Sequence, residues 1–231
     1  MNGFTVSGIT VPDSTLARDI TQLIRDTESD LLFNHSVRVY FWAALAAQRD
    51  GTQVDAEMLY AGAMFHDIGI TAPYHHSTLR FEVDGANAAR DFLRSRGVAQ
   101  ADIDKVWLAI ALHTTPGIPE HLPSEIALVQ TGAGVDMAGR DFDRYTAAQR
   151  EAVVAAYPRG PSFGQDVIDT FYAGLQHRPA TTFGSFNDDF LAWKDPAFKR
   201  GNLCCSILGS RWHDCPAHGV SAPAGKAATG D

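Results

Sequence analysis

Three histidines and two aspartates are the residues of this chain best placed to do chemistry. His66 and Asp67 are neighbours inside "AMFHDIG", an apolar stretch in which either group, left unpaired, is costly to bury. On a helix their side chains would sit about 100° apart, so one cation beyond the helix end is within reach of both. Further ligands must then come from other buried segments. His35 lies in the most apolar run of the chain, "LLFNHSVRVYFWAALAA", and is the first candidate; Asp136, after "LVQTGAGV", is the second. Two imidazoles and two carboxylates suit one divalent first-row ion, zinc first, with iron, manganese or cobalt as alternatives. The set is formally neutral around a 2+ charge, and such an ion lowers the pKa of a water toward ~7. Each residue also has a plainer reading: His35 as a hydrogen-bonded core histidine, Asp136 as a helix-end group, and His66 as an imidazole held by a helix C-terminus.

His113, followed by Thr114, is the expected proton donor or orienter, with a helix C-terminal imidazole as its plainer alternative. Arg38 falls one turn after His35 and so near its face. With Arg80 it is the cation best placed to meet a substrate, and it is equally suited to pairing with a carboxylate. His75 and His76, in "APYHHS", are read either as pocket rim or as solvated loop residues. Cys204, Cys205, His213, Cys215 and His218 follow no paired Cys-x-x-Cys spacing and are not read as a zinc site.

Helices must position these groups. Apolar residues recur at steps of three and four in "TLARDITQLIRDTE", with Asp13 or Ser14 as cap. "LLFNHSVRVYFWAALAAQRDG" is apolar nearly all round and reads as a central helix ended by Gly51. A third helix starts after Asp55 and runs through the His66–Asp67 pair to Gly69. Further helices are expected from Phe81 to Arg96, over "ADIDKVWLAIALHT", from Ser124 over "SEIALVQTGAGVDMAG", and over "TAAQREAVVAAYP", "GQDVIDTFYAGLQHR" and "NDDFLAWK". No strand signal competes, and Phe41, Trp42 and Trp107 read as core. The expected fold is all-α. Residues 1–30 add an N-terminal helix to a bundle over 31–145, and residues 146–216 form a C-terminal helical extension of the same domain. The Gly, Ala and Pro-rich tail of 217–231 is expected to be disordered.

Bulk properties narrow the partners. The chain has 231 residues, 45% hydrophobic and 20% charged, enough for a sizeable core. A net charge of −8 without any basic run argues against a nucleic-acid surface. The N-terminus lacks the pattern of a signal peptide, and no apolar run is long enough to span a bilayer. Three cysteines suggest a reducing compartment, and the cytoplasm is the expected location. A small-molecule substrate is the expected partner, and assembly into a homo-oligomer is left open.

The order His35, His66-Asp67, Asp136 on successive helices resembles the HD-domain superfamily of metal-dependent hydrolases, which is all-α and holds one or two divalent ions with a His…His-Asp…Asp set. The resemblance covers about residues 30 to 145. "FNHSVRVYFWA", "AMFHDIGIT", "RFEVDGANAARDFL", "AIALHTT" and "GAGVDMAG" together are similar to its cyanamide-hydratase-like branch. This implies addition of water to cyanamide or a related nitrile-like compound. The two-metal members carry histidines where this chain has Glu82 and the single His113, so the resemblance implies one metal. It also places Phe81 and Glu82 beside Arg38, Arg80 and His76 at the substrate pocket. Nucleotidase-like members resemble His-Asp-x-x-Glu, and here Ile70 stands in place of that glutamate. A phosphohydrolase acting on a nucleotide or small phosphate ester is the second reading, and a non-catalytic metal-binding module the third.

Overall fold

A computed structural model describes residues 4–210. Its architecture is all-α, with ten α-helices among the described residues. The chain divides at Lys199/Arg200 into two compact units. The first opens with a small hairpin, β1 (Thr5–Val6) and β2 (Ile9–Thr10), paired antiparallel. Ser7 (φ 50°) and Gly8 (φ 83°) turn it, the positive-φ pair that matches the twist of a tight hairpin. Two residues per strand are too few for an alternating pattern to register in a sequence. The hairpin still buries Val6 and Ile9, and Tyr40 donates its hydroxyl to the Thr10 carbonyl.

The helices start and stop where local chemistry directs. In α1 (Thr15–Thr27), Ser14 accepts from the Ala17 amide. The helix α2 (Asp30–Asp50) ends on Gly51 in the left-handed conformation. Asp55 caps α3 (Ala56–Phe65) through the amides of Glu57 and Met58. Then follow α4 (Phe81–Ser95), α5 (Gln100–Leu112), α6 (Ser124–Ala138), α7 (Ala147–Ala156), α8 (Phe163–Leu175) and α9 (Asp188–Lys194). In the second unit, α10 (Leu203–Leu208) is capped by Asn202 and exposes Cys204 and Cys205. His213, Cys215, His218 and the expected tail of 217–231 lie outside the described residues.

Burial on nearly every face of α2 makes it the axis of the bundle, packed against α3 and α6. The α2–α6 contact is close enough that a Cβ at Gly132 would overlap the Val39 carbonyl. No helix among the described residues is long and apolar enough to cross a membrane.

The third helix was expected to run through Asp67 to Gly69, but α3 stops at Phe65. His66 is its cap, Asp67 sits at φ −108°, ψ 0°, and a 3-10 turn follows over Ile68–Ile70. Gly69 therefore does not end the helix. It allows close approach, since a Cβ there would overlap the Phe81 carbonyl at the start of α4.

The Gly132 contact predicts that Gly132→Ala destabilises the fold by about 1–3 kcal/mol, because two helix backbones must move apart. Chemical denaturation of the purified variant, read as a lower midpoint at unchanged slope, checks this.

Candidate metal centre and its cavity

The break at the end of α3 lets both members of the His66–Asp67 pair face one point. His66 Nδ1 donates to the Ala63 carbonyl at 2.7 Å, which leaves the lone pair of Nε2 pointing away from the helix. The same device recurs at the end of α5, where His113 Nδ1 donates to the Ile110 carbonyl at 2.6 Å. His35, from the middle of α2, donates through Nδ1 to Asp136 Oδ2 at 2.7 Å. All three imidazoles thus spend their Nδ1 proton elsewhere, and all three present an Nε2 lone pair inward.

Those lone pairs converge on Asp67. His35 Nε2 lies 3.2 Å from His66 Nε2 and 3.5 Å from Asp67 Oδ2. His66 Nε2 is 3.2 Å from the same oxygen, and His113 Nε2 is 3.5 Å from Asp67 Oδ1. Asp67 is fully buried, and neither of its carboxylate oxygens has a hydrogen-bond partner. Acceptors have been gathered with no donor among them. A single extra proton would answer one of these contacts and leave the others repelling, whereas one cation held by His35, His66 and Asp67 answers the contacts among those three together.

Without a cation, the His66 imidazole is itself drawn to carry charge against Asp67. Burial alone would push the Asp67 carboxyl up, but the facing imidazoles of His66, His113 and His35 outweigh it and hold the group well below the usual carboxylate range. Burial pushes His35 down, despite its hydrogen bond to Asp136. At His66 burial acts the same way, but the Asp67 carboxylate overcomes it and raises the imidazole. The C-terminal ends of α3 and α5 both abut the cluster, and the negative end of a helix dipole favours a cation. His35, His66 and Asp67 offer ligand atoms within 4.8 Å of one another, so the donor set fits a divalent first-row ion.

Asp136 occupies a different place from the one expected of a ligand. Its Oδ2 accepts from His35 Nδ1 and from Arg38 at 2.8 Å; its Oδ1 accepts from Arg38 Nε at 2.8 Å, Trp42 Nε1 at 2.9 Å and Arg159 at 3.1 Å. Both oxygens are saturated, so the structure places Asp136 behind His35, orienting it. Burial would raise this carboxyl, but the donors from His35 and Arg38 hold it well below the usual range. Arg38, expected at the pocket, is completely buried on this carboxylate and on the Tyr157 and Pro158 carbonyls. Trp42, read as plain core, is one of the Asp136 donors.

His113 and Thr114 line a cavity of about 510 Å³ together with His35, His66 and Asp67. Arg80, Phe81, Glu82 and His76 are not on its wall. Glu82 is buried one layer below, where it accepts from Arg80 at 2.7 Å, Thr114 Oγ1 at 2.5 Å and Asn187 Nδ2 at 2.9 Å. It is therefore engaged away from the cluster. Phe81 packs in a second core with Ile70 and Phe171, its ring 5.6 Å from that of His113. His76 is exposed, as is His75, whose ring faces His177. Ile70 points into the same second core and not into the cavity.

The rest of the wall was not legible as a site. Gln130, Ala133, Gly134, Met137 and Arg140 contribute from α6 and just beyond it, and Phe163, Val167, Ile168 and Phe171 from α8, with Phe186 just before α9 and Phe190 within it. A stripe of apolar residues at helical spacing was the available signal, and core packing explains such a stripe equally well. Arg159 gave no signal at all.

A family model described as HD domain matches residues 32–151, just over half of the chain. Among curated proteins, none matches it.

The two aspartates should separate cleanly on substitution. Asp67→Ala is expected to abolish metal retention with little loss of stability, since it removes an unpartnered buried charge. Asp136→Asn should weaken metal affinity by about 10–100-fold through His35 and cost about 3–5 kcal/mol, since Arg38 loses its buried anion. Elemental analysis and denaturant titration of both variants measure the two effects. Equal metal loss with no stability cost in Asp136→Asn would make it a direct ligand.

Proposed function

The chain belongs to the HD-domain family, and from that premise we propose that it is a metal-dependent enzyme adding water to a small uncharged electrophile, cyanamide or a related nitrile-like compound, to give a urea-type product. The observation that carries this reading is the charge lining the cavity. Apart from the histidines, Arg140 is the one basic residue among the described residues on its wall, and it is exposed. Arg38, Arg80, Arg159 and Arg178 are paired elsewhere. A phosphoryl group needs several cations to hold its developing charge, whereas a nitrile carbon needs a nucleophile and a proton relay.

His35, His66 and Asp67 would hold the ion, with zinc the first choice from the donor set. When bound, it supplies Lewis acidity, making a water nucleophilic near neutral pH. The remaining work belongs to the chain. His113, its Nδ1 proton tied to Ile110, offers a basic Nε2 beside the cluster. There it takes a proton from the attacking water as the oxygen–carbon bond forms, and returns it to the substrate nitrogen. The net change is one water added across the carbon–nitrogen triple bond, giving an isourea whose O–H proton then passes to nitrogen to leave the urea. Thr114 donates to Glu82 and accepts from Arg80 at 3.4 Å, so its oxygen keeps one lone pair that orients an N–H of the substrate. Arg80 and Asn187 fix Glu82 and hence Thr114.

Phosphate-ester hydrolysis is the second reading, favoured by the family itself. Parallel assays on metal-analysed protein decide between them: urea release from cyanamide is the expected outcome, and phosphate release from nucleotides without urea overturns the proposal. His113→Gln should lower kcat by about 100-fold or more with metal content unchanged.

A further inference from the structure

We propose that the substrate of this site is larger than cyanamide and carries an uncharged aromatic body, seated on the wall built by α8 and the start of α9 with the segment leading into it. The inference rests on the water-addition reading for the reacting end and concerns the part of the substrate that does not react. A molecule of three heavy atoms fills on the order of three waters' volume, about 90 Å³. The cavity offers about 510 Å³, within the ordinary range of pockets for larger ligands.

The additional space is apolar and continuous with the cluster. Phe163 lies with its ring 6.3 Å from that of His35, and the Arg159 guanidinium sits 3.8 Å over it, so the wall begins at the metal ligands. Val167, Ile168 and Phe171 continue it along α8, and Phe171 stacks on Phe190 at 4.6 Å and 28°. Phe186 closes the row with 42% of its surface exposed. A large ring left this wet on a cavity wall gains from an apolar ligand that covers it. Four phenylalanines offer ring edges and faces, the geometry aromatic partners prefer. Arg140 is the wall's one cation besides the histidines, at the exposed end, so a charged body against α8 would go unpaired.

The test is binding, read by calorimetry on the full metal-loaded chain, with phenylurea as a neutral aromatic product analogue and urea as its small counterpart. Phenylurea is expected to bind roughly 100-fold more tightly than urea, the effect of removing one ring from water. That advantage should fall about tenfold in Phe186→Ala and in Ile168→Glu. Phe186 is exposed and Ile168 partly so, and an unchanged unfolding midpoint shows that the fold survives. Equal affinity for the two ureas, undiminished affinity in both variants, or tighter binding of phenyl phosphate than of phenylurea overturns the proposal. Turnover of cyanamide and phenylcyanamide is measured alongside. If neither reacts but phenylurea binds as expected, the water-addition reading fails and the aromatic seat stands. If cyanamide reacts as efficiently as phenylcyanamide and phenylurea binds no better than urea, the reading stands and the seat fails.

Discussion

Asp67 is a carboxylate enclosed by protein with no hydrogen-bond donor on either oxygen, and much of the surrounding structure serves to keep it so. An isolated buried charge costs several kcal/mol, so the fold tolerates a deliberate imbalance here. The imidazoles that could relieve it are held in the wrong tautomer for doing so. His66 and His113 are locked by carbonyls one turn back on their own helices, and His35 is locked by Asp136. Asp136 is in turn fixed by Arg38, Trp42 and Arg159. The outcome is a buried group of acceptors in which His35, His66 and Asp67 call for a cation, with His113 beside them.

The C-terminal helices contribute to that arrangement from outside. Arg178, beyond the end of α8, donates to the Gly69 carbonyl in the turn after Asp67 and pairs with Asp84 on α4. A Cβ at Gly174 would overlap Ile70 in the same turn. The segment that carries the ligand pair is thus clamped by the helix that supplies the apolar wall. Ligand geometry and pocket shape are tied through one contact, with the central bundle on one side of the cavity and α8 on the other. On the other side, Asn187 reaches Glu82 beneath Thr114, so the α9 segment is joined to the cavity floor as well.

Much of the fold could be read directly. The helical periodicities, the Ser14 and Asp55 caps and the Gly51 stop all lie within a few residues of the groups they organise, and short-range chemistry is what a sequence displays. His35, His66 and Asp67 were legible for a related reason: titratable groups in apolar runs demand a partner. Arg38 was ambiguous because an arginine one turn from a histidine faces either the pocket or a carboxylate. Asp136 reads as a ligand in the sequence because nothing in its own segment reveals the four side chains that fill its oxygens. The resemblance implies Arg80, Glu82 and Phe81 at the pocket, and in the structure they lie a layer below its wall.

The chain by itself determined an all-α bundle around one apolar helix, and a buried imidazole–carboxylate cluster that calls for a cation. It did so because periodicity, capping and the cost of burying charge are local properties of residue type and spacing. The tertiary structure decided which carboxylate faces the cation and which stands behind a histidine. It also decided that α3 breaks before Asp67, and that phenylalanines more than ninety residues further along the chain form the wall of the cavity. Those outcomes depend on where the second lone pair of each carboxylate finds its donor and on which apolar stripe packs against which, and both are set only when distant helices meet.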